Sequence, residues 1–186
     1  MRWQKSDGTI VPPGEFIPLA EKNGFISQLD ENMFYMVCRC QRELLDSGIK
    51  PPPVSVNMSR QLLYDNQFIE KYMGTMQRFS LPVDLIELEI TETALFENQD
   101  KFVHIIQKLH DNGFRILMDD FGTGYSSLMM LKSIPIDIMK LDKTFIDEYD
   151  SEEDVNIIKC VTDLAKSLKI SVIAEGVEIE EQYKLL

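Results

Sequence analysis

Apolar positions along this chain follow two rhythms. Over 152–168, Val155, Ile158, Val161, Ala165 and Leu168 recur at helical spacing, which makes one stripe of an amphipathic helix. From Leu85 to Thr91 the period shortens to alternation: Ile86, Leu88 and Ile90 share one face, and Leu85, Glu87 and Glu89 the other, as in a strand. Further strands are predicted at Val54-Ser55-Val56-Asn57, at 115–119, from Ile136 to Leu141 and at Ser171-Val172-Ile173-Ala174, with a stub at residues 1–4. Helices are predicted at 14–23, at 28–46 (stopped by Gly48 and the Pro51-Pro52-Pro53 turn), at 61–78, at 98–112 (closed by Asn112-Gly113), from Ser126 to Lys132, at 152–168 and at 179–186.

Strands that alternate with helices predict an α/β fold with a mostly parallel sheet and helices outside it. No linker or low-complexity segment divides the chain, so residues 1–186 read as a single domain. An eight-stranded α/β barrel takes about 250 residues, and on that reading this chain is short by some strands. The other arrangement left open is a doubly wound sheet, although no glycine-rich dinucleotide turn follows any strand.

Composition narrows the partners. The net charge of −12 and pI near 4.6 argue against DNA, RNA or anionic membranes held by bulk electrostatics. An anionic substrate then needs metal ions or local cations to offset the field. Cys38, Cys40 and Cys160 show no ligand spacing, and reduced thiols in a cytoplasmic setting are expected. No signal core or run of transmembrane length is readable.

The chemistry concentrates where strands end. Asp119-Asp120-Phe121-Gly122-Thr123-Gly124-Tyr125-Ser126-Ser127 places two carboxylates after the run Ile116-Leu117-Met118, with a glycine-punctuated loop behind them. The triplet Asp-Phe-Gly also occurs in protein kinases, but no glycine-rich phosphate loop or His-Arg-Asp segment accompanies it. Taken alone, the stretch reads as a helix cap with a turn. Other strand ends change that reading: Asn57, Glu89, Lys140 and Glu175 all lie at or near them. Asn57, Glu89, Asp119 and Asp120 are hard oxygen ligands suited to Mg²⁺, Mn²⁺ or Ca²⁺, and a carboxylate shared by two ions clamps both oxygens of a phosphoryl displacement. Lys140 among them neutralises developing charge. The bland alternatives are a solvated edge strand for Glu87 and Glu89, a surface pair with Asp142 for Lys140, and a helix-entry charge for Glu175. His104 and His110 read as surface residues, and the ten Met residues as core filling.

Six segments then carry a family resemblance. Phe16-Ile17-Pro18-Leu19-Ala20-Glu21, Ser55-Val56-Asn57-Met58-Ser59, Glu87-Leu88-Glu89-Ile90-Thr91-Glu92, Asp119 to Ser127, Lys140-Leu141-Asp142 and Ala174-Glu175-Gly176-Val177-Glu178 resemble, in order, the EAL domain. The resemblance implies a modified TIM barrel that hydrolyses the bacterial second messenger cyclic di-GMP to linear 5′-pGpG, using two Mg²⁺ or Mn²⁺ ions. It makes Asn57, Glu89 and Asp119 ligands of the first ion, with Asp119 bridging to a second that Asp120 also binds. Lys140 resembles the lysine that positions the attacking water, and Glu175 the acidic group supporting it. Glu92 resembles the anchor of the glycine loop, Arg2 a substrate-phosphate contact, and homodimerisation is a family expectation. The alternative function is a non-cleaving EAL module that binds cyclic di-GMP or a protein partner.

The chain also departs from the family pattern. Arg2-Trp3 matches, but Met1 stands in the position before it and the Glu of Glu-Ala-Leu, a first-ion ligand, is absent; the Gln-Gly-containing terminal segment is absent too. These departures predict a partial EAL domain whose unclosed barrel leaves strand edges unpaired, favours aggregation and impairs hydrolysis.

Overall fold

The computed structural model describes residues 1–65, 67–95, 99–122, 128–147 and 152–185. The predicted loop Thr123–Ser127, and with it the predicted helix start at Ser126, lie outside these residues. The chain forms two compact units, Met1–Pro51 with Met58–Leu81, and Pro52–Asn57 with Pro82–Leu186. No helix among the described residues is long and apolar enough to cross a membrane.

The first unit opens with two short strands, β1 (Trp3–Gln4) and β2 (Ile10–Val11), paired antiparallel. The expected stub at residues 1–4 therefore joins a hairpin and not the parallel sheet. Helices α1 (Pro13–Lys22), α2 (Ile26–Asp46) and α3 (Phe68–Arg78) complete the unit. Its core stacks Phe34 of α2 on Tyr72 of α3, ring centroids 3.8 Å apart, with Phe68 edge-on to Tyr72. The single helix expected over 61–78 is divided into a 3-10 turn at Leu62–Tyr64 and α3. Asp65 is the cause: its Oδ1 accepts the Gln67 N–H at 2.9 Å, an Asx turn that competes with the helical ladder. Cys38 is buried, which pushes its thiol up to about 12, and all three cysteines are free.

The second unit is built on five parallel strands: β3 (Val54–Asn57), β4 (Ile86–Thr91), β5 (Arg115–Phe121), β6 (Ile138–Leu141) and β7 (Ser171–Ala174). Between and after them come α4 (Gln99–Asp111), α5 (Leu128–Ser133), α6 (Thr144–Asp147), α7 (Glu152–Ser167) and α8 (Glu180–Leu185). Spatial order equals chain order, β3-β4-β5-β6-β7. A doubly wound sheet must reverse its strand order at a switch point, and no reversal occurs among the described strands. The fold is α/β of the TIM-barrel-like kind.

Register sorts the side chains by face, because paired residues of parallel strands point the same way. Val56, Leu88, Ile116, Ile90, Met118 and Met139 share the helix-covered face and are all buried. Asn57, Glu89, Leu117 and Ile138 follow one another across the opposite face. Fully burying each of Ile86, Leu88 and Ile90 is worth roughly 1.5–3 kcal/mol. A one-residue slip would turn Glu87 and Glu89 towards the helices, so these three fix the register. β4 begins at Ile86, one residue later than expected, because Val83–Leu85 form a 3-10 turn closed by Leu85 N–H to the Pro82 carbonyl at 3.3 Å. β6 begins at Ile138, since Asp137 turns its Oδ2 to the Ile116 N–H at 2.8 Å.

Candidate active site

β5 runs two residues past its expected end, to Phe121. Met118 pairs with Met139 and Phe121 with Leu141, so Asp119 and Asp120 together lie opposite Lys140. This is a β-bulge, two residues against one. Asp120 absorbs it in the left-handed region, at φ +56°, a conformation that costs a non-glycine residue on the order of 1 kcal/mol and collects at functional sites. The bulge delivers adjacent carboxylates to the C-terminal end of the sheet.

Lys140 is the hub there. Its Nζ lies 2.6 Å from Glu89 Oε1, 2.9 Å from Asp119 Oδ1 and 2.6 Å from Glu175 Oε1. Strands β4, β5 and β6 and the residue after β7 thus place three carboxylates around one ammonium. Asn57 ends β3 directly beside Glu89 in the register. The solvated-edge reading of Glu89 and Glu87 is excluded, for β4 is flanked on both sides and both residues are buried. Asp142 does not serve Lys140; it accepts the Thr144 N–H at 2.9 Å and hydroxyl at 2.7 Å, capping α6. Arg2 belongs to the first unit, where its guanidinium donates to the Met1 carbonyl at 3.0 Å. His104 and His110 are exposed.

The charges press on one another. Burial, with the Asp119 charge beside it, pushes the Glu89 carboxyl above the usual range in spite of the Lys140 ammonium. Asp119 is also desolvated, but its contacts with Glu89 and Lys140 outweigh this and hold it low. Burial and the charges of Asp119, Asp142 and Glu175 raise Asp120. Burial opposes the Lys140 charge, yet its bonds to Glu175, Glu89 and Asp119 prevail and push its pKa far up. Lys140 is therefore a fixed cation, and four carboxylates surround a single positive charge.

The rim around this cluster is tied by backbone contacts. Glu92, fully buried, accepts the Gly122 N–H at 2.7 Å through Oε2. Gly122 has φ +98°, and a Cβ there would come within 1.9 Å of the Phe145 ring, so only glycine lets that ring cover the turn. Phe145, Thr144 and Gln182 were not marked by sequence reasoning. Phe145 reaches Gly122 and Gln182 reaches Ile146 across the chain, contacts no local pattern reports, whereas Thr144 bonds its near neighbour Asp142 in a local capping pattern.

The EAL domain family model matches residues 1–186. The chain belongs to the EAL domain family. This EAL domain is 36% identical over 188 residues to the bifunctional diguanylate cyclase/cyclic di-GMP phosphodiesterase MucR of Pseudomonas aeruginosa, covering 100% of this chain and 27% of MucR. It is 35% identical over 187 residues to the cyclic di-GMP phosphodiesterase NbdA of the same organism, covering 100% of this chain and 24% of NbdA. It thus spans about a quarter of the length of these relatives. Among solved structures, the PaMucR phosphodiesterase in its c-di-GMP complex superimposes with TM-score 0.90 at 35% identity, over 100% of this chain and 75% of that one. The EAL domain of Mycobacterium smegmatis DcpA does so with TM-score 0.74 at 32% identity, over 82% of this chain and 69% of that one.

EAL domains are metal-dependent as a family. Among the described residues, no three His, Cys, Asp or Glu side chains are grouped as a ligand set by themselves; the carboxylates close instead on Lys140 Nζ. The donor chemistry nonetheless suits hard divalent ions, being made of carboxylate oxygens in excess over the one cation. Asp119 Oδ1 supports this: it is buried, its 2.9 Å contact to Lys140 is a charge contact, and no aligned hydrogen-bond donor meets it among the described residues. The one ammonium that meets this oxygen is shared with Glu89 and Glu175, so a further cation would lower the cost of burying it.

Proposed function

We propose that this EAL domain hydrolyses cyclic di-GMP to linear 5′-pGpG. The observation that carries the reading is Lys140 Nζ held within 2.6–2.9 Å of Glu89, Asp119 and Glu175 on one face of a parallel sheet, at its C-terminal end. That end is where barrel enzymes assemble catalytic groups from several strands. Asn57, Glu89 and Asp119 are assigned to a first divalent ion, and Asp119 with Asp120 to a second, Mg²⁺ or Mn²⁺. When bound, these ions supply Lewis-acid polarisation of the phosphoryl oxygens.

This chain's own residues do the rest. Lys140, a fixed cation, cannot take a proton; with divalent ions holding Glu89 and Asp119, an N–H released from those carboxylates would donate to the incoming water and hold it for attack on phosphorus. Glu175, the most exposed of the three carboxylates at 40%, accepts from the same water and takes its proton as the O–P bond forms. The P–O3′ bond breaks, and the 3′ oxygen leaves to be protonated. Arg2 is assigned to a substrate phosphate by its motif, and Glu92 to holding the Gly122 turn. Two EAL domains associating as a homodimer is part of the same reading.

The test is incubation of the purified chain with cyclic di-GMP and Mg²⁺ or Mn²⁺, with products separated chromatographically. Slow formation of linear pGpG that disappears with a chelator and returns with Mn²⁺ is expected, and other cyclic dinucleotides should be turned over more slowly still. Binding without turnover would transfer the assignment to a non-cleaving module. Neither binding nor turnover would reject both.

A further inference from the structure

Gln182 is a buried polar side chain that the site described above does not use. Its Oε1 accepts the Glu178 N–H at 2.7 Å and the Ile179 N–H at 3.1 Å, while its Nε2 donates to the Ile146 carbonyl at 3.3 Å. The first two bonds have an ordinary reading, half of a capping box at the entry to α8. The third does not, for it crosses to the last turn of α6, 36 residues away in sequence.

That crossing is the outermost of three contacts joining the segments after β6 and β7. Nearest the sheet, the Glu175 N–H donates to the Leu141 carbonyl at 3.1 Å. Next, Gly176 (φ +74°) lies so close to Lys143 that a Cβ on it would meet the Lys143 Cβ at 2.7 Å. Gln182 to Ile146 closes the series. The two joined segments follow directly from Lys140 and Glu175, the pair at 2.6 Å in the cluster. Ile146 also adjoins Phe145, whose ring covers Gly122, and Gly122 is held in turn by Glu92. One strap therefore runs along the strand ends from β7 to β4.

We infer that Gln182 is a positioning residue which, by clasping the β7–α8 segment to α6, holds Glu175 against Lys140. Its kinetic consequence rests on the hydrolase reading; its mechanical consequence does not. Two variants separate the clasp from the cap. Gln182→Glu keeps both acceptor bonds and places negative charge at a helix start, where it is favourable, but cannot donate to the Ile146 carbonyl. Gln182→Met loses all three bonds.

The deciding measurement is residue-resolved amide hydrogen exchange at Glu175, in wild type and both variants, alongside kcat and KM for cyclic di-GMP. Both variants should exchange the Glu175 amide at least ~10-fold faster, since local opening then costs less. Both should lose at least ~10-fold in kcat with KM within about threefold, the mark of misplaced groups at the reacting centre. Gln182→Glu with wild-type exchange and kcat would overturn the inference and leave Gln182 a helix cap. If wild type shows no hydrolysis, the hydrolase reading falls while the exchange comparison still decides the clasp. If Gln182→Met fails to fold, Gln182→Glu decides alone.

Discussion

The same sheet face carries charged side chains at both ends, and the two ends are built differently. Near the strand starts, Arg115 meets Glu87 at 2.6 Å, one cation with one carboxylate. Near the strand ends, Lys140 meets Glu89, Asp119 and Glu175, and Asp120 feels the charges of Asp119 and Glu175 as well. The first arrangement is balanced and has no use for a further cation. The second carries surplus negative charge in a half-buried place, which desolvation penalises unless cations arrive. The proposed hydrolysis puts the site at the unbalanced end, even though the residue types are alike. In barrel folds this division is expected, with chemistry at the C-terminal face and stability at the N-terminal one.

Substitutions at the two ends test that division. The largest effect is expected from Asp119→Asn, which should lower cyclic di-GMP turnover by about 10³-fold, the scale of losing a group that stabilises the transition state. It should also cost about 1 kcal/mol in urea unfolding, because the depressed Asp119 carboxyl means the folded state favours its charge. Lys140→Met should cost about 10²-fold in turnover and also roughly 2 kcal/mol in stability, as carboxylates are left facing one another. Exposure of Glu175 keeps that figure below the range for a fully buried pair.

Arg115→Met should cost roughly 1 kcal/mol, because Glu87 stays buried without its partner while the guanidinium was partly solvated. Its turnover should remain within about twofold of wild type. A large loss of turnover in Arg115→Met would erase the distinction between the two ends.

The smallest effect is a pH slope. Burial raises the Glu89 carboxyl, so the native chain holds a proton that the unfolded chain releases. Stability from this group is fully present below the ordinary carboxylate value and is lost as pH rises through the raised one. Asp119 has the opposite sign, its stabilisation being lost as pH falls through its depressed value. Glu89→Gln should flatten the decline on the high side and leave the acid limb in place. Urea midpoints measured from about pH 3 to 8 check this, and a wild-type curve with no such decline would sink the assignment.

Much of the site was legible in the sequence. Asn57, Glu89, Lys140 and Glu175 each lie at or just past a run of strand-forming residues, and parallel strands in chain order bring such positions to one end. The alternation in β4 gave the face as well. The shared position of Asp119 and Asp120 was not derivable from alternation, which turns neighbours to opposite faces. A bulge against β6 set it, and a bulge exists only once two strands are paired. The break at Asp65 inside an otherwise helical pattern escaped for a related reason, since a side chain outcompeted the backbone ladder.

The sequence by itself determined the strand-helix alternation, the apolar faces of β4 and α7, and the oxygen-rich chemistry waiting at the strand ends. These follow from period and residue type, which are local. Only the tertiary structure decided that Lys140 bonds three carboxylates and not Asp142, that Phe145 covers Gly122, and that Gln182 reaches Ile146. Each of those contacts depends on distances between segments far apart in the chain, and such distances are settled by register and packing.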